Sequence, residues 1–338
     1  MVVDAVLAND EWDLFLFRLS YLSPVVDRFY VGESSITFSG KPKDMVFSRR
    51  LPELLGMGYD VRVIPLDIPL SIVSQGGRWQ IETYVRNTLL ESVATMHPED
   101  TVLFSDIDEI PSRTQVQVAV GDGGSLEISS VPTQVLLRRA NWLEFAPERW
   151  SGKWGNVLVG KDRVPRIRRG KYPLISGEPG AHLSYVGMAA ADIRAKYKSF
   201  SHGELDRDEL SSENFFAFAD HFHISHLGRA LELGAGLLSV IQEDHFSSIQ
   251  AWAFLSHPEW FSLEPISAPA HRRLVASWIL FLNVRGTAQG MLNDAFLPVY
   301  HWRWIRHAVA FLLVRLSWRT AVKLGLVTFL NKKKNSQP

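Results

Sequence analysis

The chain has 338 residues, 46% apolar and 21% charged, with a formal net charge of zero; this is the composition of a globular protein and excludes a disordered or collagen-like one. It contains no cysteine, which excludes disulfides and thiolate metal sites and is compatible with a reducing compartment. The charge is unevenly spread: from His271 onward eleven Lys/Arg stand against one acid, Asp294, a net +10, and the preceding 270 residues carry 25 basic and 35 acidic groups, a net −10. Such asymmetry predicts that the two parts meet different partners.

Residues 1–8 read as a strand, Val2-Val3-Asp4-Ala5-Val6-Leu7 at its centre. No basic n-region precedes it, which gives the expectation of a chain without signal peptide or N-terminal anchor. Asn9 or Asp10 then caps a helix over 11–22, whose Trp12, Phe15, Leu16, Leu19 and Leu22 fall at helical spacing. Arg28–Glu33 is a second strand, Asp60–Leu66 a third, Gln80–Met96 a long helix with Tyr84, Val85, Leu89, Val93 and Met96 on one face, and Thr101–Phe104 a fourth strand. Strand–helix alternation predicts a mostly parallel sheet covered on both faces. Ligands of such sheets bind beyond the carboxyl ends of the strands, where Glu33, Asp67, Asp106 and Asp108 stand. From 112 to 200 shorter strands are expected at Leu126–Val131, Gln134–Arg139, Asn156–Val159 and His182–Val186; beyond about 205 the pattern is mainly helical.

The most informative stretch is Phe104-Ser105-Asp106-Ile107-Asp108-Glu109-Ile110-Pro111. In extended backbone alternate side chains share a side, so Asp106 and Asp108 are expected together with Ile107 turned into the core. Two such carboxylates can share Mg²⁺ or Mn²⁺ with positions left for substrate phosphates. A bare Asp-x-Asp is common, and a solvated acidic turn is its plain alternative. Glu33 is read as a nucleoside contact or as a strand-end carboxylate paired with a base. Lys41 and Lys43 are read as diphosphate contacts or as solvated loop lysines. Arg86, four residues after Glu82, makes either a surface ion pair or a planar fork for the donor phosphates, with Asn87 beside it.

Several blocks together resemble glycosyltransferase family 17. They are Asn9-Asp10-Glu11-Trp12-Asp13-Leu14 with Arg18-Leu19; Val25 to Ser34 continuing through Thr37-Phe38-Ser39-Gly40-Lys41-Pro42-Lys43; Glu82 with Arg86-Asn87; Ser105 to Pro111; and Gly180-Ala181-His182-Leu183-Ser184-Tyr185 with Lys196 and Ser199 to Glu204. The resemblance covers roughly residues 1–230. It departs at Ala181, where the family has tryptophan before the histidine. It implies a GT-A-like, Rossmann-related fold, a divalent metal, a nucleotide-sugar donor and inversion at the anomeric carbon. On this reading Asp106 and Asp108 hold metal and donor, with His182, or else His202, completing the metal site. Inversion also needs a carboxylate base; Glu144, Glu178 and Glu204 are the candidates, and Glu204 is the expected one. His221, His223 and His226 lack helix-borne metal spacing and read as a structural cluster.

Residues 231–338 are read as a helical, basic and aromatic appendage to a catalytic domain at 1–230. Arg315, Arg319 and Lys323 form one stripe and Val309, Leu312, Leu313 and Leu316 another, while the longest uncharged run, Ala308–Val314, is far short of the ~20 residues of a membrane span. The pattern is that of a helix lying in an anionic membrane interface, with Lys332-Lys333-Lys334 adding attraction; an ordinary helical cap is the alternative. Without a binding motif the charge does not indicate nucleic acid.

The reading is a cytoplasmic, metal-dependent (Mn²⁺ or Mg²⁺) inverting glycosyltransferase, peripheral at a membrane if the appendage binds lipid. Its donor is a UDP-sugar, UDP-GlcNAc by resemblance, and its acceptor a glycan or lipid-linked glycan. Two alternatives stand beside it. One is a non-catalytic carbohydrate-binding or assembly protein on a retained transferase fold, which the intact acidic pair opposes. The other is a metal-dependent phosphoryl hydrolase, which would need further carboxylates or a nucleophile near Asp106.

Overall fold

The computed structural model describes residues 1–75, 77–97, 100–121, 129–144, 156–159, 173–201, 206, 213, 216, 220 and 238–262. The chain divides into two compact units, one of residues 1–206 with 240–263 and the other of 207–239 with 264–338. Nearly all described residues belong to the first unit, which takes in 240–263 of the stretch expected as an appendage; the rest of that stretch apart from 238–239, and His221, His223 and His226, lie outside the described residues. Among the described residues no helix is long and apolar enough to cross a membrane.

Through residue 106 the described elements follow the alternating pattern. Strand β1 (Val2–Leu7) leads into helix α1 (Trp12–Leu22), followed by β2 (Arg28–Glu33), α2 (Val46–Gly56), β3 (Val61–Pro65), α3 (Leu70–Gln75), α4 (Arg78–Met96) and β4 (Thr101–Asp106). Next come β5 (Glu109–Ile110), α5 (Arg113–Gly121), β6 (Ser129–Val131), β7 (Thr133–Leu137), β8 (Trp142–Glu144), β9 (Asn156–Val159), β10 (Gly180–Ser184), α6 (Ala190–Ser199), β11 (Leu238–Val240) and α7 (Ser248–Ser256). A six-stranded sheet has the order β3-β2-β1-β4-β9-β6. Its first four strands are parallel, and β9 and β6 join antiparallel. This is the expected α/β, mostly parallel, helix-flanked architecture. A five-stranded sheet, β11-β8-β7-β10-β5, takes two of the expected short strands as β7 and β10 and adds β5, β8 and β11, while the other two expected strands, β6 and β9, belong to the six-stranded sheet.

The period of two in β1 sorts its side chains. Val2 and Val6 join the cluster with Phe15, Leu19, Leu22, Phe47 and Leu103, while Val3 and Ala5 join Val85, Leu89, Val93, Val102 and Phe104 of α4 and β4. Each fully buried side chain of this size contributes roughly 1.5–3 kcal/mol. Asp4, between Val3 and Ala5, faces the α1 side and is fully buried. Helix α1 is buried on more than one stripe, through Leu14, Phe17, Arg18 and Tyr21 as well as the expected face.

Several details differ from the sequence reading. Neither Asn9 nor Asp10 caps α1; Glu11 holds that position without a side-chain cap, and its Oε2 instead accepts from the Asn9 amide at 3.0 Å. Among the described residues, the stretch 112–200 contains the helices α5 and α6 as well as strands. Helix α5 starts at a reciprocal pair, Gln115 N donating to Ser112 Oγ and Ser112 N to Gln115 Oε1, a capping box readable in Ser-x-x-Gln. Helix α2 carries Pro52 in its interior and has no local side-chain cap, so its local signals argue against it; Glu33 caps it from β2, as described below.

Candidate active site

Strands β1 and β4 are adjacent and parallel, Leu7 opposite Asp106, so their carboxyl ends open onto one place. Side chains of β4 are buried from Val102 to Ser105, and Asp106 is partly exposed. The strand stops there and residues 107–108 form a turn, so the alternation expected to put Asp106 and Asp108 side by side does not extend across them. Ile107 does turn into the core, at 3% exposure. The two aspartates take different partners on opposite walls.

Asp106 Oδ1 meets Arg86 Nη1 at 2.6 Å, and Arg86 Nε meets Glu82 Oε1 at 3.0 Å. Arg86 therefore does both things the sequence allowed: it forms the i,i+4 pair and also reaches the acidic strand end. Burial opposes its charge, but Asp106 and Glu82 outweigh this and raise its pKa.

Asp108 faces β10 and α6. Its Oδ2 lies 3.3 Å from Lys196 Nζ and 3.7 Å from His182 Nε2. Lys196 also binds Glu11 Oε1 at 3.2 Å, bridging the start of α1 to the turn after β4, and its ammonium lies 5.3 Å from the centre of the Tyr185 ring. Burial alone would raise the Asp108 pKa; Lys196 and His182 reverse this and hold it well below the usual carboxylate range. Burial likewise works against the charge of His182 and Lys196, and in both the neighbouring carboxylates prevail and raise the pKa. His182 sits opposite Glu109 where β10 pairs with β5, and Leu183 N donates to the Asp108 carbonyl at 2.8 Å. Gly180 permits this approach, since a Cβ there would collide with the Ile110 carbonyl and lie 2.9 Å from Pro111 Cα.

Other expected residues are used differently. Glu33 is fully buried and caps α2: Oε1 accepts from Phe47 N, and Oε2 from Ser48 N and Oγ, all at 2.8 Å. Both oxygens are thus committed to a helix N-terminus, which accounts for Glu33 without a nucleoside. Lys43 donates to the carbonyls of Ala8 at 3.3 Å and Asn9 at 3.1 Å, and its burial lowers its pKa. Lys41 is exposed in a turn, its backbone bound to Thr37, and Asn87 is exposed on α4. Glu178 caps α7 through Ser248 N at 2.7 Å and Ser248 Oγ, which removes it from the candidate bases. Glu204 and His202 lie outside the described residues, as does the side chain of Glu144. Sequence reasoning assigned no role to Lys196, Glu11, Arg18 or Asp4, because their partners come from elements far apart in the chain.

The site is thus two carboxylates, Asp106 at the end of β4 and Asp108 in the turn after it, each beside a fixed basic side chain. The profile of glycosyltransferase family 17 matches residues 1–217, well over half of the chain. The chain belongs to glycosyltransferase family 17. It is similar to proteins named β-1,4-mannosyl-glycoprotein 4-β-N-acetylglucosaminyltransferase. Those of Homo sapiens and Rattus norvegicus are each 33% identical over 122 residues, and that of Mus musculus 32%. Each match covers 34% of this chain and 22% of the relative, so the chain spans about a fifth of the length of these curated relatives.

The metal implied by the family resemblance can be tested against these groups. Among the described residues no three His, Asp or Glu side chains converge as a cation cage, and Asp106 is drawn to Arg86 rather than to Asp108 and His182. A hard divalent ion carried by substrate phosphates, however, needs only one or two protein groups. A carboxylate oxygen and an imidazole nitrogen 3.7 Å apart, the latter on a ring whose buried Nδ1 has no hydrogen-bond partner, suit such an ion. Asp108 and His182 are the pair that fits.

Proposed function

We propose that this family 17 protein is an inverting glycosyltransferase that takes a sugar from a nucleotide diphosphate donor, UDP-linked, and passes it to a glycan or lipid-linked glycan. The observation that carries the reading is the strand-end pair Asp106 and Asp108, flanked by Arg86 at 2.6 Å and Lys196 at 3.3 Å. GlcNAc is favoured as the sugar because the relatives that match are named N-acetylglucosaminyltransferases.

The chemistry needs a diphosphate to depart with its charge neutralised. Arg86 and Lys196 are the fixed positive groups nearest the carboxylates, and both are held charged by their neighbours. Arg86 presents a planar fork suited to phosphate oxygens and Lys196 a point charge. Asp108 and His182 would hold Mn²⁺ or Mg²⁺, which when bound supplies further neutralisation of the diphosphate. Asp106, partly exposed at the mouth of the site, is placed to accept from a donor hydroxyl. Glu204 is the proposed base that takes the acceptor proton.

Thermal shifts with a panel of nucleotides and nucleotide sugars, with and without Mn²⁺, test the reading. A ligand that prefers the native state raises the melting temperature. Stabilisation by UDP that disappears in Asp106→Ala and Asp108→Ala supports it; no nucleotide response from folded protein removes it. Association of residues 271–338 with a cytoplasmic membrane surface is a separate proposal, supported by their net charge of +10. Flotation of the full chain with liposomes containing anionic lipid, but not with neutral ones, supports it; equal failure to float with both removes it.

A further inference from the structure

The Asp106–Glu109 turn rests on a buried guanidinium, that of Arg18. Arg18, on α1, is fully buried, as is its partner Asp4 on β1. Its Nε and Nη2 grip Asp4 as a fork, both at 2.7 Å. Nη2 also donates to Ser105 Oγ at 2.8 Å. Nη1 points into the turn, 2.7 Å from the Glu109 carbonyl, 3.2 Å from that of Asp106 and 3.3 Å from that of Ile107. Ser105 Oγ donates to the same Glu109 carbonyl at 3.0 Å, and Glu109 Oε2 accepts from Asp106 N at 3.2 Å. The Asp108 carbonyl has its donor in Leu183 N of β10, and Arg18 serves those of Asp106, Ile107 and Glu109; buried carbonyls require such donors. A rigid guanidinium can serve several of them at once, whereas an ammonium has the charge without the planar geometry.

We propose that Arg18 is a positioning residue: anchored by Asp4, it fixes the backbone of residues 106–109 and so sets where the Asp106 and Asp108 carboxylates stand toward the donor. The consequence for the donor rests on the proposed function above; the hold on the turn does not. Arg18 touches no substrate in this scheme. Its effect reaches the ligand only through the turn it supports, and a displacement of such groups by about 1 Å is enough to cost on the order of 100-fold in rate.

Two variants separate this from simple charge balance in the core. Arg18→Lys keeps the charge beside Asp4 and loses the fork. Ser105→Ala leaves the Arg18–Asp4 pair intact and removes the hydroxyl that ties it to Glu109. Three quantities are measured for each folded variant: amide hydrogen exchange across 105–109, the dissociation constant for UDP with Mn²⁺, and KM for acceptor. Exchange should rise at least several-fold at these amides and not in β1 or α4. UDP binding should weaken about ten-fold in Arg18→Lys and less in Ser105→Ala, with acceptor KM unchanged. If Arg18→Lys restores wild-type exchange and UDP affinity, Arg18 only balances Asp4 and the proposal fails. Should Arg18→Lys not fold, Ser105→Ala decides alone, and unaltered exchange and UDP affinity there refute the idea. If the wild-type protein binds no UDP, the donor reading falls, and the exchange data still decide whether Arg18 holds the turn.

Discussion

Lys196→Met replaces the ammonium that bridges Asp108 and Glu11 with an apolar chain of similar length. The side chains of Lys196, Asp108 and Glu11 are 14%, 11% and 9% exposed, so solvent can do little to compensate the two carboxylates left behind. Removing one partner from a buried ionic group costs about 3–5 kcal/mol; the slight exposure here favours the lower end, about 3 kcal/mol. At roughly 2–4 °C per kcal/mol for a unit of this size, the melting temperature should fall by about 6–12 °C. Asp108→Asn in the Lys196→Met background should recover part of the loss, giving a coupling energy of about 1–3 kcal/mol in a double-mutant cycle. The pH dependence has a definite sign. Asp108 has a depressed folded-state pKa, so its contribution is complete above the unfolded carboxylate value of about 4 and is lost as pH falls below it. Lys196 has a raised one, so its contribution is complete below about 10.4 and is lost as pH rises beyond the folded value. The stability gap between wild type and Lys196→Met should therefore be widest between about pH 5 and 9 and close in acid. Urea unfolding from pH 3 to 9 reads this directly. A gap below about 1 kcal/mol at pH 7, or one that widens in acid, would refute the charge bridge.

Glu33→Ala should destabilise the protein by about 1–2 kcal/mol through the loss of the α2 cap while leaving UDP affinity unchanged; a large affinity loss with stability intact would return Glu33 to the donor site. Gly180→Ala should cost about 1–3 kcal/mol by forcing β10 away from the Ile110 carbonyl, measured by denaturant midpoint, and it should also weaken UDP binding because His182 travels with the strand. Arg86→Lys keeps the charge but loses the fork shared between Glu82 and Asp106. Calorimetry should show nucleoside diphosphate affinity falling more than that for the nucleoside, and equal losses would mean that Arg86 does not face the diphosphate.

Much of the fold is legible because it depends on local periodicity. Val2–Leu7, Arg28–Glu33 and Thr101–Asp106 alternate or run apolar between polar ends, and the parallel sheet follows from the helices between them. Helix α2 is less so, since its cap is a strand-end glutamate fourteen residues upstream rather than a residue at its own start. In contrast, α5 announces itself by Ser112 and Gln115, a local signal absent from the expectation of short strands over 112–200. For the site, residue type and position picked out the carboxylates and Arg86, and the family resemblance added His182. Partner choice is another matter. Asp108 in a turn rather than a strand changes which wall it faces, and Lys196 is 88 residues away. Arg18 fits a helix pattern as an ordinary polar position, and only the three-dimensional packing shows it buried under the turn.

The four residues from Asp106 to Glu109 are also where the chain passes from one sheet to the other. Asp106 is the last residue of β4 in the six-stranded sheet, and Glu109 the first of β5 in the five-stranded one. The acidic motif therefore behaves as a seam. A fragment of residues 1–108, β1 to β4 with their helices and the turn that follows, would contain both aspartates and Arg86, yet it would lack His182 and Lys196, the two basic partners of Asp108. The motif as a string of letters can be carried by half of this architecture; its electrostatic character requires both halves, and gene fusions or truncations that break the seam would keep the letters and lose the centre.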